Sequence, residues 1–209
     1  MNDILLAALI GFSGVIIGTV ITSVISVKIK SKETKLRILE KVFDKRIEAH
    51  ENILFLIKNI RTVTSTGKAD SENNLISFPS SMTSKEDLDK FINEVFILFH
   101  KNAHWLNTDL EREFWFALDY LTSLTNIIQD ANNKDFPSIG EIVKQDFIDL
   151  ATGLENITFD FFRKDIYDMK INKHDEWHKY PKEKTYAKLN ETNLIKRKNE
   201  IERIIKNVA

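Results

Sequence analysis

The chain has 209 residues, no cysteine, three prolines and six glycines, with 29% charged residues and a formal net charge of −1. The missing cysteine excludes disulfides, thiolate metal sites and a cysteine nucleophile. So few helix breakers among well-mixed charges suit long amphipathic helices better than strands.

Residues Ile4 to Val27 contain no charged side chain, and Lys28 ends the run. An apolar helix of this length crosses a hydrocarbon core of roughly 30 Å with some tilt. A secretory signal peptide fits poorly. The segment before the run, Met1-Asn2-Asp3, carries no Lys or Arg, the run is too long, and Val27-Lys28-Ile29-Lys30 is a poor cleavage site. The expectation is a transmembrane anchor over 4–27. Lys28, Lys30, Lys32, Lys35 and Arg37 follow it, whereas Asp3 is the only charged side chain before it. The positive-inside rule then places residues 28–209 in the cytoplasm and the N-terminus outside the plasma (inner) membrane.

Within the anchor, Gly14, Gly18, Thr22 and Ser26 recur at intervals of four, and Gly14 to Gly18 is a Gly-x-x-x-Gly step. Close backbone approach along such a groove drives helix association in lipid, so the chain is expected to form a homo-oligomer through this face.

Beyond the anchor the charge is uneven. Residues 28–63 carry a net +5, residues 64–178 a net −10 and residues 179–209 a net +5. Basic ends suit an anionic inner leaflet, with Lys28, Lys30, Lys32, Lys35, Lys196, Arg197 and Lys198 as the expected headgroup contacts. From Lys28 to Arg61 there is no Pro or Gly, and Leu36, Leu39, Phe43, Ile47, Leu54, Ile57 and Ile60 mark one helical face. Residues 62–82, with Gly67, Pro79 and many Ser, Asn and Thr, are expected to form a mobile loop. Thr83-x-x-Glu86, Thr108-x-x-Glu111 and Ser138-x-x-Glu141 read as capping boxes opening three further helices. After Pro181 the residues 182–209 form a basic helical tail, interrupted near Asn190 and expected to lie by the membrane-proximal stem. The predicted fold is all-α: one N-terminal transmembrane helix (4–27) continuing into a cytoplasmic antiparallel helical bundle (28–209).

Two phrases carry resemblances. The segment Phe43-Asp44-Lys45-Arg46-Ile47-Glu48-Ala49-His50, together with the later Phe162-Arg163-Lys164-Asp165, resembles uncharacterised bacterial single-span membrane proteins. Those carry a tyrosine-rich version of the first phrase, aromatic-x-Lys-Arg-x-Glu-Ala-Tyr; the resemblance implies the architecture and no activity. The chain also resembles the membrane accessory proteins of RNA-targeting CRISPR systems, which join one span to a helical nuclease-like HEPN domain. Their hallmark is Arg, four to six residues, then His; Arg46 and His50 stand one residue short of it. The resemblance implies Arg46 steadying phosphate charge and His50 as acid or base at an RNA 2′-hydroxyl.

Two histidine pairs at i, i+4, His100 with His104 and His174 with His178, have zinc spacing. HDEWH, however, places its glutamate wrongly for a metalloprotease, and no third ligand is evident. No metal and no cofactor are expected. Phosphate loop, nucleophile elbow and kinase signature are all missing. The aromatic phrases Phe114-Trp115-Phe116 and Phe159-Asp160-Phe161-Phe162 sit in the acidic stretch, where phosphate is repelled, and read as core. Nucleic acid is therefore not an expected partner. The leading expectation is a non-enzymatic, self-associating membrane protein that serves as a bacterial defence or phage-exclusion effector or as a scaffold for another protein. A membrane-tethered HEPN-like RNase is the alternative.

Overall fold

A computed structural model of the chain describes residues 2–69, 75–165 and 179–206. It is mostly helical: α1 (Asn2–Arg61), β1 (Val63–Ala69), β2 (Leu75–Pro79), α2 (Lys85–Asn102), α3 (Thr108–Ile127), α4 (Phe136–Asp160), α5 (Lys182–Glu191), α6 (Asn193–Lys196) and α7 (Lys198–Lys206). The chain divides into two compact units, Met1–Lys45 and Arg46–Ala209.

The first unit is the N-terminal part of α1. From Gly11 to Lys41 every residue is exposed. Leu36 and Leu39, expected on a buried face, are 59% and 38% exposed; fully buried residues of α1 begin only at Ala49.

In the second unit, Ala49, Ile53, Leu56, Ile57 and Ile60 of α1 face a core built from α2, α3 and α4. Tyr120, Phe99, Phe114, Phe136 and Phe147 are fully enclosed there. Phe99 stacks on Phe114 at 4.7 Å between ring centroids.

The expected loop at 62–82 contains an antiparallel hairpin instead, with Val63 paired to Pro79, Thr64 to Phe78 and Ser65 to Ser77. Gly67 lies within β1, where the pairing register shifts between Ser65 and Ala69, and takes a left-handed φ of 71°. What composition concealed is that Phe78 and Met82, isolated among polar residues, are core residues, 4% and 0% exposed. They pack on α4 at Gly140, where an added Cβ would lie 2.9 Å from Met82 Cβ and 3.0 Å from Phe78 Cβ.

The helix starts also differ from the expected boxes. Ser84, not Thr83, caps α2 by accepting from the Asp87 amide at 3.1 Å. Asn107, not Thr108, caps α3 by accepting from the Leu110 amide at 2.8 Å. Before α4 the Asn132 amide donates to the Asp135 carboxylate at 3.0 Å, and the helix starts at Phe136, ahead of Ser138. In the first two cases the capping acceptor lies one residue from the hydroxyl of the pattern, after it at Ser84 and before it at Asn107.

The tail breaks at Thr192 and Arg197, flanking α6. Leu194 and Ile201 are fully buried. α6 and α7 pack on α4, and α7 shares a cleft with Asn126 to Asp130 at the end of α3. α6 and α7 thus contribute Leu194 and Ile201 to the core of the domain.

Candidate functional site

The most distinctive surface is the outside of α1 in the first unit. Phe12, Val15, Ile17 and Val20 are between 56% and 68% exposed, and the helix is long and apolar enough to cross a membrane. Two of its hydroxyls are satisfied within the helix: Thr19 Oγ1 donates to the Val15 carbonyl at 2.7 Å and Thr22 Oγ1 to the Gly18 carbonyl at 2.8 Å. A Cβ built on Gly14 or Gly18 meets nothing within 4 Å, so the groove along Gly14, Gly18, Thr22 and Ser26 is open. Lys28, Lys30, Lys32 and Lys35 are all exposed on the next turns.

The pair considered for RNA chemistry has a different environment. His50 is 0% exposed. Its Nδ1 lies 2.7 Å from the Arg46 carbonyl, an acceptor, which places the proton on that nitrogen. Its ring stacks on Phe161 at 3.5 Å and 11° and meets the edge of Phe162 at 6.0 Å. The Arg46 guanidinium carbon lies 4.9 Å from the centre of the same Phe161 ring. The Arg46–His50 phrase and the late aromatic phrase thus meet at Phe161, whose ring neighbours both the cation and the imidazole. The chain turns there through a π-helical segment, Phe161–Asp165. A general acid or base must come within hydrogen-bond reach of its substrate, and this imidazole is enclosed.

The histidine pairs fare similarly. His100 is exposed, hydrogen-bonded through Nδ1 to the Phe96 carbonyl at 2.9 Å and laid against the Phe96 ring at 3.9 Å. His104 sits beyond the end of α2, in the 3₁₀ turn Ala103–Trp105, so the pair does not share a regular α-helical face. His174 and His178 lie outside the described residues. Among the described residues no three His, Asp or Glu side chains come together in a way that could hold a metal ion. Of the aromatic phrases, Phe114, Phe116 and Phe161 are buried in the domain, and Trp115 is half-buried beneath the Lys179 ammonium at 3.7 Å.

Sequence reasoning passed over two buried carboxylates. Glu113, 8% exposed, accepts from Lys188 Nζ at 2.6 and 2.7 Å and from Tyr180 Oη at 2.9 Å. Burial, then the Glu113 charge and hydrogen bond, push the Tyr180 phenol well above its ordinary 10.0. Asp146, 4% exposed, accepts from the amides of Asn193 and Leu194 at 2.8 and 2.9 Å and from Tyr120 Oη at 3.0 Å. It caps α6 from another element, and burial raises its pKa against the opposing effect of those bonds. The available signal was an acidic residue within an otherwise apolar helical stripe: Asp146 lies between Val143 and Leu150, Glu113 between Leu110 and Phe114.

The basic tail residues named as headgroup contacts are exposed, but two have partners within the tail itself. Arg197 pairs with Glu200 at 2.7 Å, and Lys198 approaches Glu202 at 3.8 Å.

Comparison with known proteins finds no matching family model, no similar curated protein and no similar solved structure. The functional reading rests on the chemistry of this chain.

Proposed function

We propose that the chain is a non-enzymatic membrane protein: α1 anchors it through residues 4–27, associates with a second copy along Gly14, Gly18, Thr22 and Ser26, and holds a helical scaffold or effector domain in the cytoplasm. The observation that carries this reading is the run of exposed apolar side chains on α1, which would be costly in water and which passes directly into the lysine-flanked segment 28–35. The enclosure of His50 favours this reading over the RNase. An anionic inner leaflet is the partner of Lys28, Lys30, Lys32 and Lys35, each contributing about 1 kcal/mol close to such a surface.

Single cysteines at Asn2 and at the exposed Asp89 should label from opposite sides of sealed cells. Reaction of the Asp89→Cys site with an impermeant reagent would reverse the orientation. Replacing both Gly14 and Gly18 by Ile fills the groove and is expected to lower oligomeric order in detergent. An unchanged oligomer would remove the anchor seam from the reading.

A further inference from the structure

We propose that the groove between α1 and α2 in the second unit is a dimer surface for a second copy of this chain, arranged in parallel about a two-fold axis along the helices. Asn52 Nδ2 donates to Asn102 Oδ1 at 3.3 Å at one end, and Asn59 and Thr62 share a cleft with Asp87 and Lys90 at the other. The two helices therefore run side by side in opposite senses. Phe55, 64% exposed, and Ile97, 58% exposed, stand on the two sides of the open groove.

The charges flanking them identify the occupant. Glu51, Phe55 and Lys58 form one exposed stripe of α1, at i, i+4 and i+7. Glu94, Ile97 and Lys101 form one exposed stripe of α2, at i, i+3 and i+7. Along a common direction, α1 presents acid, apolar, base, while α2, running the other way, presents base, apolar, acid. A two-fold axis parallel to the helices keeps every residue at its own level and sets α1 against the partner copy's α2. Glu51 then meets a lysine at position 101, Phe55 an isoleucine at 97, and Lys58 a glutamate at 94, each contact occurring twice. None of these four charged side chains makes an ion pair with another described residue of its own chain. The opposite choice, α2 against α2 in parallel, would place like charges together, which disfavours it. The parallel sense rests on the anchor reading above, since two anchors in one membrane fix a common direction.

The full chain has no cysteine, which makes the test direct. Two differently tagged copies, one with Glu51→Cys and the other with Lys101→Cys, are co-expressed in membranes and treated with a short bis-maleimide. The expected product carries both tags and exceeds the products joining identical positions. Charge reversal by Glu51→Lys alone should weaken dimerisation roughly tenfold, since the lost attraction and new repulsion count twice. Adding Lys101→Glu should restore it. Preferential cross-linking of identical positions, or failure of the double reversal to rescue, overturns the proposal. If the mixed product persists in the Gly14→Ile, Gly18→Ile background, the groove stands independently of the anchor seam. If the wild-type chain is oligomeric but gives no mixed product, the groove falls and the seam stands.

Discussion

Glu113 and Asp146 hold residues 180–194 to the rest of the domain, and they do so with different chemistry. Glu113 is held by a full charge. Removing it by Glu113→Ala leaves Lys188, half-buried against the rings of Phe116 and Tyr180 at 4.2 and 4.8 Å, without its carboxylate. The loss of charge-assisted hydrogen bonds predicts a stability decrease of about 2–3 kcal/mol, read by chemical denaturation of the full chain in detergent. Asp146 is held by two backbone amides and a phenol, and burial raises its pKa above the ordinary 3.8. The folded state therefore keeps the Asp146 proton to higher pH than the unfolded chain does. Its contribution to stability is complete below 3.8 and is lost as pH rises through the folded-state value. Asp146→Asn cannot titrate, so the stability of the wild type relative to this variant should fall as pH rises above 3.8. A difference that grows with pH in favour of the wild type would mean that the amide bonds outweigh burial.

At the scale of elements, the helix starts separate pattern from geometry. Ser84→Ala and Asn107→Ala are each expected to lower stability by about 1 kcal/mol through loss of a cap. Thr108→Ala, at a position that does not cap its helix, should cost distinctly less; thermal unfolding of the three variants side by side decides this. The hairpin gives a second test. Gly140 is the surface on which Phe78 and Met82 rest, so Gly140→Val should overpack this contact and cost about 1–3 kcal/mol. An unaffected midpoint would mean that the hairpin moves aside without penalty.

The helices themselves were legible, since their apolar residues repeat at three and four over long stretches, as in Leu88, Phe91, Val95 and Phe99. The strands were not. Five residues with only Leu75, Ile76 and Phe78 to mark them carry no periodicity long enough to distinguish from a loop. The long apolar helix at the N-terminal end was legible for another reason, its uncharged run from Ile4 to Val27. The groove at Phe55 and Ile97 was not, because an outward apolar residue on each of two helices means something only once their side-by-side placement is known.

At the scale of the whole molecule, the fold closes late along the chain. Ile201 and Leu194 are fully buried, and the amides that satisfy Asp146 belong to residues 47 and 48 positions further on. A chain cut after Thr192 is therefore predicted to lose much more stability than the apolar area of the missing helices accounts for, because it also strands a buried carboxylate. Increased binding of a hydrophobic dye by the truncated chain, with helicity largely kept, is the expected reading.

The same connection has a consequence in time. Synthesis proceeds from the N-terminus at about 5–20 residues per second, so Asn193 follows Asp146 by roughly 2–10 s. Throughout that interval the nascent domain, its apolar leading segment already made, still lacks the peptide groups that complete α4. Such a delay is when an unfinished chain is most exposed to a chaperone, to a protease, or to another nascent copy.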